Sequence, residues 1–255
     1  KWANEYTFPS FKKEWVKRES IDDARPSGTQ GFWFNLRREV FSDPRVREAM
    51  ALMFNFEWSN ETLFGGLYER TDSFWENSNL EAKGPITPGE RALLEPLKAD
   101  LPESVFTEDA YTPVVSKPDP IDRRVFRRAG KMLDEAGWKI VDGVRKNAAG
   151  EALSVEFVND SPSFDRIINP YIENLIKLGV DAKLTSIDPA QEAERRKVFD
   201  YDITTQRYVM SLTPGIELRS IFGSETANTH GSSNLTGLAN PAIDALIKII
   251  EGAKT

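Results

Sequence analysis

His230 is the only histidine in 255 residues, and the chain has no cysteine. Side chains able to do covalent or metal chemistry are therefore few. A Ser-His-Asp triad would have to use His230, and the surrounding THGSSN lacks the glycine spacing of a nucleophile elbow. One imidazole without thiolates falls short of the several ligands a metal site takes, so no metal is expected. GxGxxG, GxxxxGK[ST], HExxH and GxSxG are all missing. Carboxylates remain. Glu61, Glu69, Asp72, Glu76, Asp200 and Asp202 lie near aromatic residues, and two at the right separation would serve a carbohydrate- or peptide-hydrolase domain. With 40 acidic residues such neighbours arise easily by chance, so hydrolysis stands as the alternative reading.

Binding residues give a different signal. ERTDSFWENSN, residues 69–79, mixes Arg70, Trp75 and Asn77 with small polar residues in a segment too polar for a core element. Pockets combine aromatic walls with a few orienting polar groups. The segment is either such a wall or a surface loop pinned by Phe74 and Trp75, and both readings stand. In the polar loop ANTHGSSNLTGLANP, His230 and Ser232 either hydrogen-bond locally or touch a ligand.

These residues must be held by regular elements. GFWFNL (31–36) is a short apolar strand. Asp43 and Pro44 suit the N-cap and first position of a helix whose Val46, Ala49, Met50 and Met53 share one face. Glu61 to Tyr68 is expected to form a second short helix. Residues 84–121 carry seven of the 15 prolines and are expected to be a long loop with one helix near Glu90 to Lys98. Asp122 to Ala136 is a helix stopped by Gly137, a left-handed cap position, before a hairpin-like ribbon and the strand around Leu153, Val155 and Phe157. The stripe Phe164, Ile167, Ile168, Tyr171, Ile172, Leu175 and Ile176 stays in phase through Pro170, which predicts one helix ending at Gly179. VDAKLTSI then gives a strand, so strand, helix and strand form a βαβ unit. Helices after Asp188-Pro189 and Asn240-Pro241 flank a strand at YDITTQRYV.

The chain is 40% hydrophobic and 29% charged, with a net charge of −7 spread along its length. Its basic clusters are short, which argues against nucleic acid as a partner. No apolar run reaches the roughly 20 residues of a membrane span, so this segment is not expected to insert in a membrane.

DPRVREAMALMFNFE, AGKMLDEAGWKIVDGVRKNAAGEALSVEF, IENLIKLGVDAKLTSID, FDYDI and NPAIDALI follow one another in that order. Together they resemble the family 5 extracellular solute-binding proteins, the oligopeptide- and dipeptide-binding components of bacterial ABC importers. GTQGFWFNLRR and FNFEWSNETLFGGLYERTDSFWENS look closest to a YejA-like branch. The resemblance implies a periplasmic-binding-protein type II-like lobe, α/β, with a mixed β-sheet flanked by helices. It implies that residues 1–30 are the end of an N-terminal lobe and its hinge segment. Residues 31–255 are then the C-terminal lobe of a longer protein, and the chain starting at Lys1 is an excised piece. It further implies a periplasmic monomer that catalyses nothing, needs no cofactor, binds peptides or peptide-like solutes between two lobes and delivers them to ABC permease subunits. In peptide-binding members an aromatic residue and an Asp follow the FDYDI-type strand. Those positions fall on Tyr208 and Ser211. The serine is a departure, because it lacks the charge that an ammonium prefers. Arg207 is either a partner for a carboxylate or phosphate or a solvent-facing strand residue.

Overall fold

The computed structural model describes residues 6–19, 21 and 25–253; residues 1–5, 20 and 22–24 of the expected lobe end and hinge segment lie outside them. Helix α1 (Pro9–Lys12) precedes strand β1 (Thr29–Phe34), and helices α2 (Pro44–Ala51), α3 (Phe56–Leu63), α4 (Pro88–Leu94), α5 (Ser104–Thr107) and α6 (Arg123–Glu135) follow. Next come the hairpin β2 (Lys139–Val141) and β3 (Val144–Lys146), then β4 (Ser154–Asn159), α7 (Pro162–Lys177), β5 (Asp181–Ser186) and α8 (Pro189–Lys197). Strand β6 (Ile203–Tyr208), α9 (Glu217–Phe222) and α10 (Pro241–Gly252) complete the order. None of the described helices is long and apolar enough to cross a membrane.

The main sheet runs β1-β6-β4-β5. Strand β4 is parallel to β5 and β6, and β1 is antiparallel to β6. The sheet is therefore mixed, as expected. Alternation along β1 sends Phe32 and Phe34 to one face and Trp33 to the other. The first face packs with Val155, Phe157 and Ile203 against α2, α6 and α7. There Tyr171 meets Phe32 and Phe157 at ring separations of 5.2 and 5.3 Å, and its hydroxyl donates to Met50 O at 3.0 Å. The second face meets Phe74, Trp75, α9 and α10.

Most element positions follow from local chemistry. Asp43, Asp122, Asp188 and Asn240 each accept backbone N–H bonds at a helix start. Helix α7 continues through Pro170, carried by the buried stripe Ile168, Tyr171, Ile172 and Leu175. Gly137 takes φ +89°, as its cap position requires. Two expectations shift. The second short helix spans Phe56–Leu63 rather than Glu61 to Tyr68: Asn55 caps it by accepting from Trp58 N, and Gly65 and Gly66 at positive φ end it. In the proline-rich stretch, the helix expected near Glu90 to Lys98 is α4 followed by a 3-10 turn (Glu95–Asp100), and α5 is a further short helix beyond it. Pro96 has no N–H to carry the α ladder forward.

Candidate functional site

The carboxyl ends of β4, β5 and β6 share one end of the sheet with the amino end of β1, where Thr29 pairs with Tyr208. In open α/β sheets ligands bind beyond the carboxyl ends, where successive connections leave in opposite directions. Here α7 leads from β4 to β5 on one side, whereas α8 leads back past β4 to β6 on the other. That switch lies between β4 and β6. A cavity of about 340 Å³ opens there, lined by Gln30, Asp160, Glu192, Arg196, Gln206 and Arg207 among others. Arg196 donates to Glu192 Oε1 at 2.7 Å, to Gln206 Oε1 at 3.0 Å and to Thr205 O at 3.1 Å.

Beside the cavity stands an aromatic wall. Trp33 lies 5.0 Å from Tyr208, edge to face, and stacks on Phe74 at 6.0 Å. The Tyr208 hydroxyl donates to Ser233 O at 2.6 Å, and burial pushes its pKa up to about 12, so it stays a neutral donor. The Trp75 indole Nε1 donates to Ser211 O at 2.9 Å. The Ser211 hydroxyl is exposed, within 3.1 Å of the Thr213 hydroxyl. Val209, Leu212 and Ile216 are exposed around it and make that rim apolar.

Residues 25–29, which lead into β1, are tied to the same wall. Arg207 Nη2 donates to Ser27 O at 2.5 Å, Asn77 Nδ2 to Arg25 O at 2.9 Å, and Thr29 Oγ1 to Ser73 O at 3.2 Å. Ser27 N donates to Glu76 O at 3.0 Å. Gly28 is needed here: at φ +74° its added Cβ would sit 2.7 Å from Tyr208 O.

Five of the eight residues singled out in the sequence thus meet at one end of the sheet: Trp75, Asn77, Arg207, Tyr208 and Ser211. The other three lie elsewhere. Arg70 donates to Val114 O at 3.2 Å and lines a separate groove of about 440 Å³ with Glu48, Tyr111 and Arg128. Within that groove Arg128 is paired with Glu48. His230 is exposed, 6.1 Å from the Phe199 ring, and Ser232 is spent on Thr226 O at 2.8 Å. Their loop is pinned by Arg37, which donates to the carbonyls of Ala227, Asn234 and Leu235 and lies 3.5 Å over the Phe199 ring.

Three of the six carboxylates raised for hydrolysis are committed to other work. Asp200 pairs with Arg38 and Arg195, Asp202 pairs with Arg38 and accepts from Glu156 N, and Glu76 accepts from Asp72 N. Sequence reasoning passed over Asp160, Gln30 and Gln206. For Asp160 a signal existed: it follows a parallel strand and precedes a helix in VNDSP, the position from which α/β folds present ligand contacts.

The profile of the bacterial extracellular solute-binding proteins, family 5, middle region, matches residues 3–230. The chain is 38% identical over 251 residues to the "Probable peptide-binding protein YejA" of Agrobacterium fabrum, covering 97% of this chain and 41% of that protein. It is 35% identical over 254 residues to YejA of Escherichia coli, covering 99% of this chain and 42% of that protein. The chain thus spans about two fifths of these relatives. Among solved structures, the oligopeptide-binding protein AppA of Bacillus subtilis, in complex with a nonapeptide, superimposes with a TM-score of 0.63 at 20% identity, over 91% of this chain and 40% of AppA. That likeness establishes the fold of the lobe, and the profile match together with the YejA relatives establishes the lineage: the chain belongs to the bacterial extracellular solute-binding proteins of family 5.

Proposed function

We propose that residues 31–255 act as the C-terminal lobe of the substrate-binding component of an ABC importer. Residues 1–30 are the end of an N-terminal lobe and the segment that hinges the two. The observation that carries this reading is the shared position of three features at one end of the sheet: the charged cavity, the aromatic wall and the tied segment 25–29. A solute held against the wall and also touched by a second lobe favours the closed form by its contacts with both. The ties from Arg207 and Asn77 link the entry segment to the residues that face the solute.

The solute is a peptide or peptide-like molecule, supported by the names of the A. fabrum relative and of AppA. The site residues are Trp75, Asn77, Arg207, Tyr208 and Ser211. The protein works in the periplasm as a monomer and hands its cargo to permease subunits. Energy for transport comes from the partner ATPase, so the chain itself catalyses nothing and needs no cofactor.

The test is ligand capture. The intact two-lobed protein is unfolded to strip bound solute, refolded, mixed with a tryptic digest of a defined protein, re-isolated and analysed by mass spectrometry. The expected result is a stoichiometric set of short peptides. Re-isolation of protein with none would count against the peptide reading.

A further inference from the structure

The order of charge along helix α6 runs against its own dipole. Arg123, Arg124, Arg127 and Arg128 crowd its amino half, where the dipole favours acids, and Asp134 and Glu135 sit at its carboxyl end. Two of the four arginines have carboxylate partners: Arg124 pairs with Asp122 at 3.6 Å, and Arg128 pairs with Glu48. Arg123 and Arg127 face no carboxylate of a described residue within 4.0 Å, although like charges one turn apart repel. Lys131 continues the same row one turn further on.

Arg127 and Lys131 stand on the rim of a groove of about 380 Å³ between α6, the end of α7 and the hairpin of β2 and β3, and Lys177 of α7 completes that basic rim. Lys131 and Lys177 lean on Glu135 and Glu173 at 3.6 and 3.9 Å, exposed pairs that contribute little and give way readily to another carboxylate. The acid in the lining, Asp134, is bound to Arg145 at 2.8 Å. Phe126, Ile140 and Leu178 make the rest of the lining apolar. Buried Arg145 holds this shape: it donates to Leu178 O at 2.8 Å, to Trp138 O at 2.7 Å and to Gly130 O at 3.3 Å, so one guanidinium fastens all three walls. Gly130, a poor helix former, lets it approach, because a Cβ there would lie 3.3 Å from Arg145 Nη2. Helix α7 leaves the carboxyl end of β4 and returns to the amino end of β5. Its last residues, and the groove with them, therefore lie at the opposite end of the sheet from the solute cavity.

We propose that this groove docks an acidic segment of a partner protein. One large apolar side chain enters the groove, and flanking carboxylates meet Arg127, Lys131 and Lys177. Charge complementarity fixes the sign of the partner: a chain of net charge −7 presents here three cations around an apolar hollow. The concave shape suits an inserted side chain rather than a flat bilayer. Because the groove is remote from the solute cavity, the partner is held while the solute site stays open, and the inference stands whether or not the solute is a peptide.

Fluorescence anisotropy of the intact two-lobed protein tests this with a short dye-labelled peptide in which one phenylalanine is flanked by glutamates. Binding is expected in the micromolar range, and about tenfold weaker for twin peptides with glutamine at each glutamate or alanine at the phenylalanine. Arg127→Glu is expected to weaken binding by about tenfold. Lys248→Glu, on the exposed side of α10, makes the same change in net charge and is expected to leave binding unchanged. Melting curves show whether each variant is folded, and Arg127→Gln, which only removes the charge, keeps the comparison if the Glu variant is not. No binding of the acidic peptide, equal binding of its glutamine twin, or equal loss in Arg127→Glu and Lys248→Glu would overturn the docking groove. Binding to phosphatidylglycerol vesicles that Arg127→Glu abolishes, with the peptide ignored, would overturn it in favour of a membrane contact. Solute capture is expected to be the same in all these variants, so a failure here is distinct from a failure of the proposed function.

Discussion

Trp75 Nε1 donates to the backbone carbonyl of Ser211 across 2.9 Å, joining positions 136 residues apart. That bond ties the polar segment 69–79 to the loop after β6. It explains why a stretch too polar for a core element still holds a fixed place. Trp75→Phe keeps the ring in its apolar cluster and removes only the donor. The expected cost is about 1 kcal/mol of stability. Amides 212–216 should exchange faster with solvent, while exchange in the α7 core stays unchanged. Equal exchange in that loop would mean the bond does not hold it.

Arg37 acts as a pin for the loop bearing His230 and Ser232. Its guanidinium reaches three carbonyls and Asn35 Oδ1 while stacked on Phe199. Burial pushes its pKa down, and the neighbouring Tyr201 opposes that shift. A lysine cannot present a planar fork to three acceptors. Arg37→Lys should cost about 2 kcal/mol, because carbonyls are left unpaired. Denaturant unfolding measures this, with an undiminished midpoint as the contrary result.

Gly28 and Gly31 form a matched pair for a backbone test. Gly28 has φ +74° and no room beside Tyr208 O, whereas Gly31 has open space where a Cβ would go. Gly28→Ala is expected to destabilise by more than about 1 kcal/mol, and Gly31→Ala to be neutral or slightly stabilising. Calorimetric melting of the two variants checks the contrast. Similar melting points would show that the close approach at Tyr208 is not constraining.

Glu156 supplies a pH signature. Burial pushes its carboxyl up, but hydrogen bonds from Arg195 and Thr185 and the charges of Arg195 and Lys183 outweigh this and leave the pKa lowered. A carboxylate with a depressed folded-state pKa contributes stability above its unfolded value, about 4.3, and loses it as pH falls through the folded value. The stability gap between wild type and Glu156→Gln should therefore be widest near neutrality and narrow below about pH 4. A gap that stays constant from pH 7 to 3 would contradict the ion-pair assignment.

What the sequence made legible was local. Gly137 as a cap, Asp43-Pro44 as a helix start and the stripe running through Pro170 each depend on neighbours within about a turn or two, so spacing alone reveals them. The wall at Tyr208 was reached through resemblance, and its partners depend on register: Thr29 pairs with Tyr208 only because β1 returns antiparallel beside β6. Asp160 was missed because an aspartate before a helix is ordinary until the strand order sets it beside Arg207. Arg70 and His230 were drawn in by residue type, but their surroundings lie in other loops. Helix α3 began earlier than expected because Asn55, also bonded to Lys117 O and Asp119 O, fixes its start from a distant segment.

The measurement that bears most directly on the account is hydrogen exchange of the intact two-lobed protein with and without captured peptide. Added protection is expected in residues 73–77, 160–164 and 205–213, where the wall and cavity meet. The groove lined by Glu48, Arg70 and Tyr111 should be unchanged. Protection confined to that groove, or none at the carboxyl ends of β4 and β6 while peptide is bound, would contradict the placement of the solute.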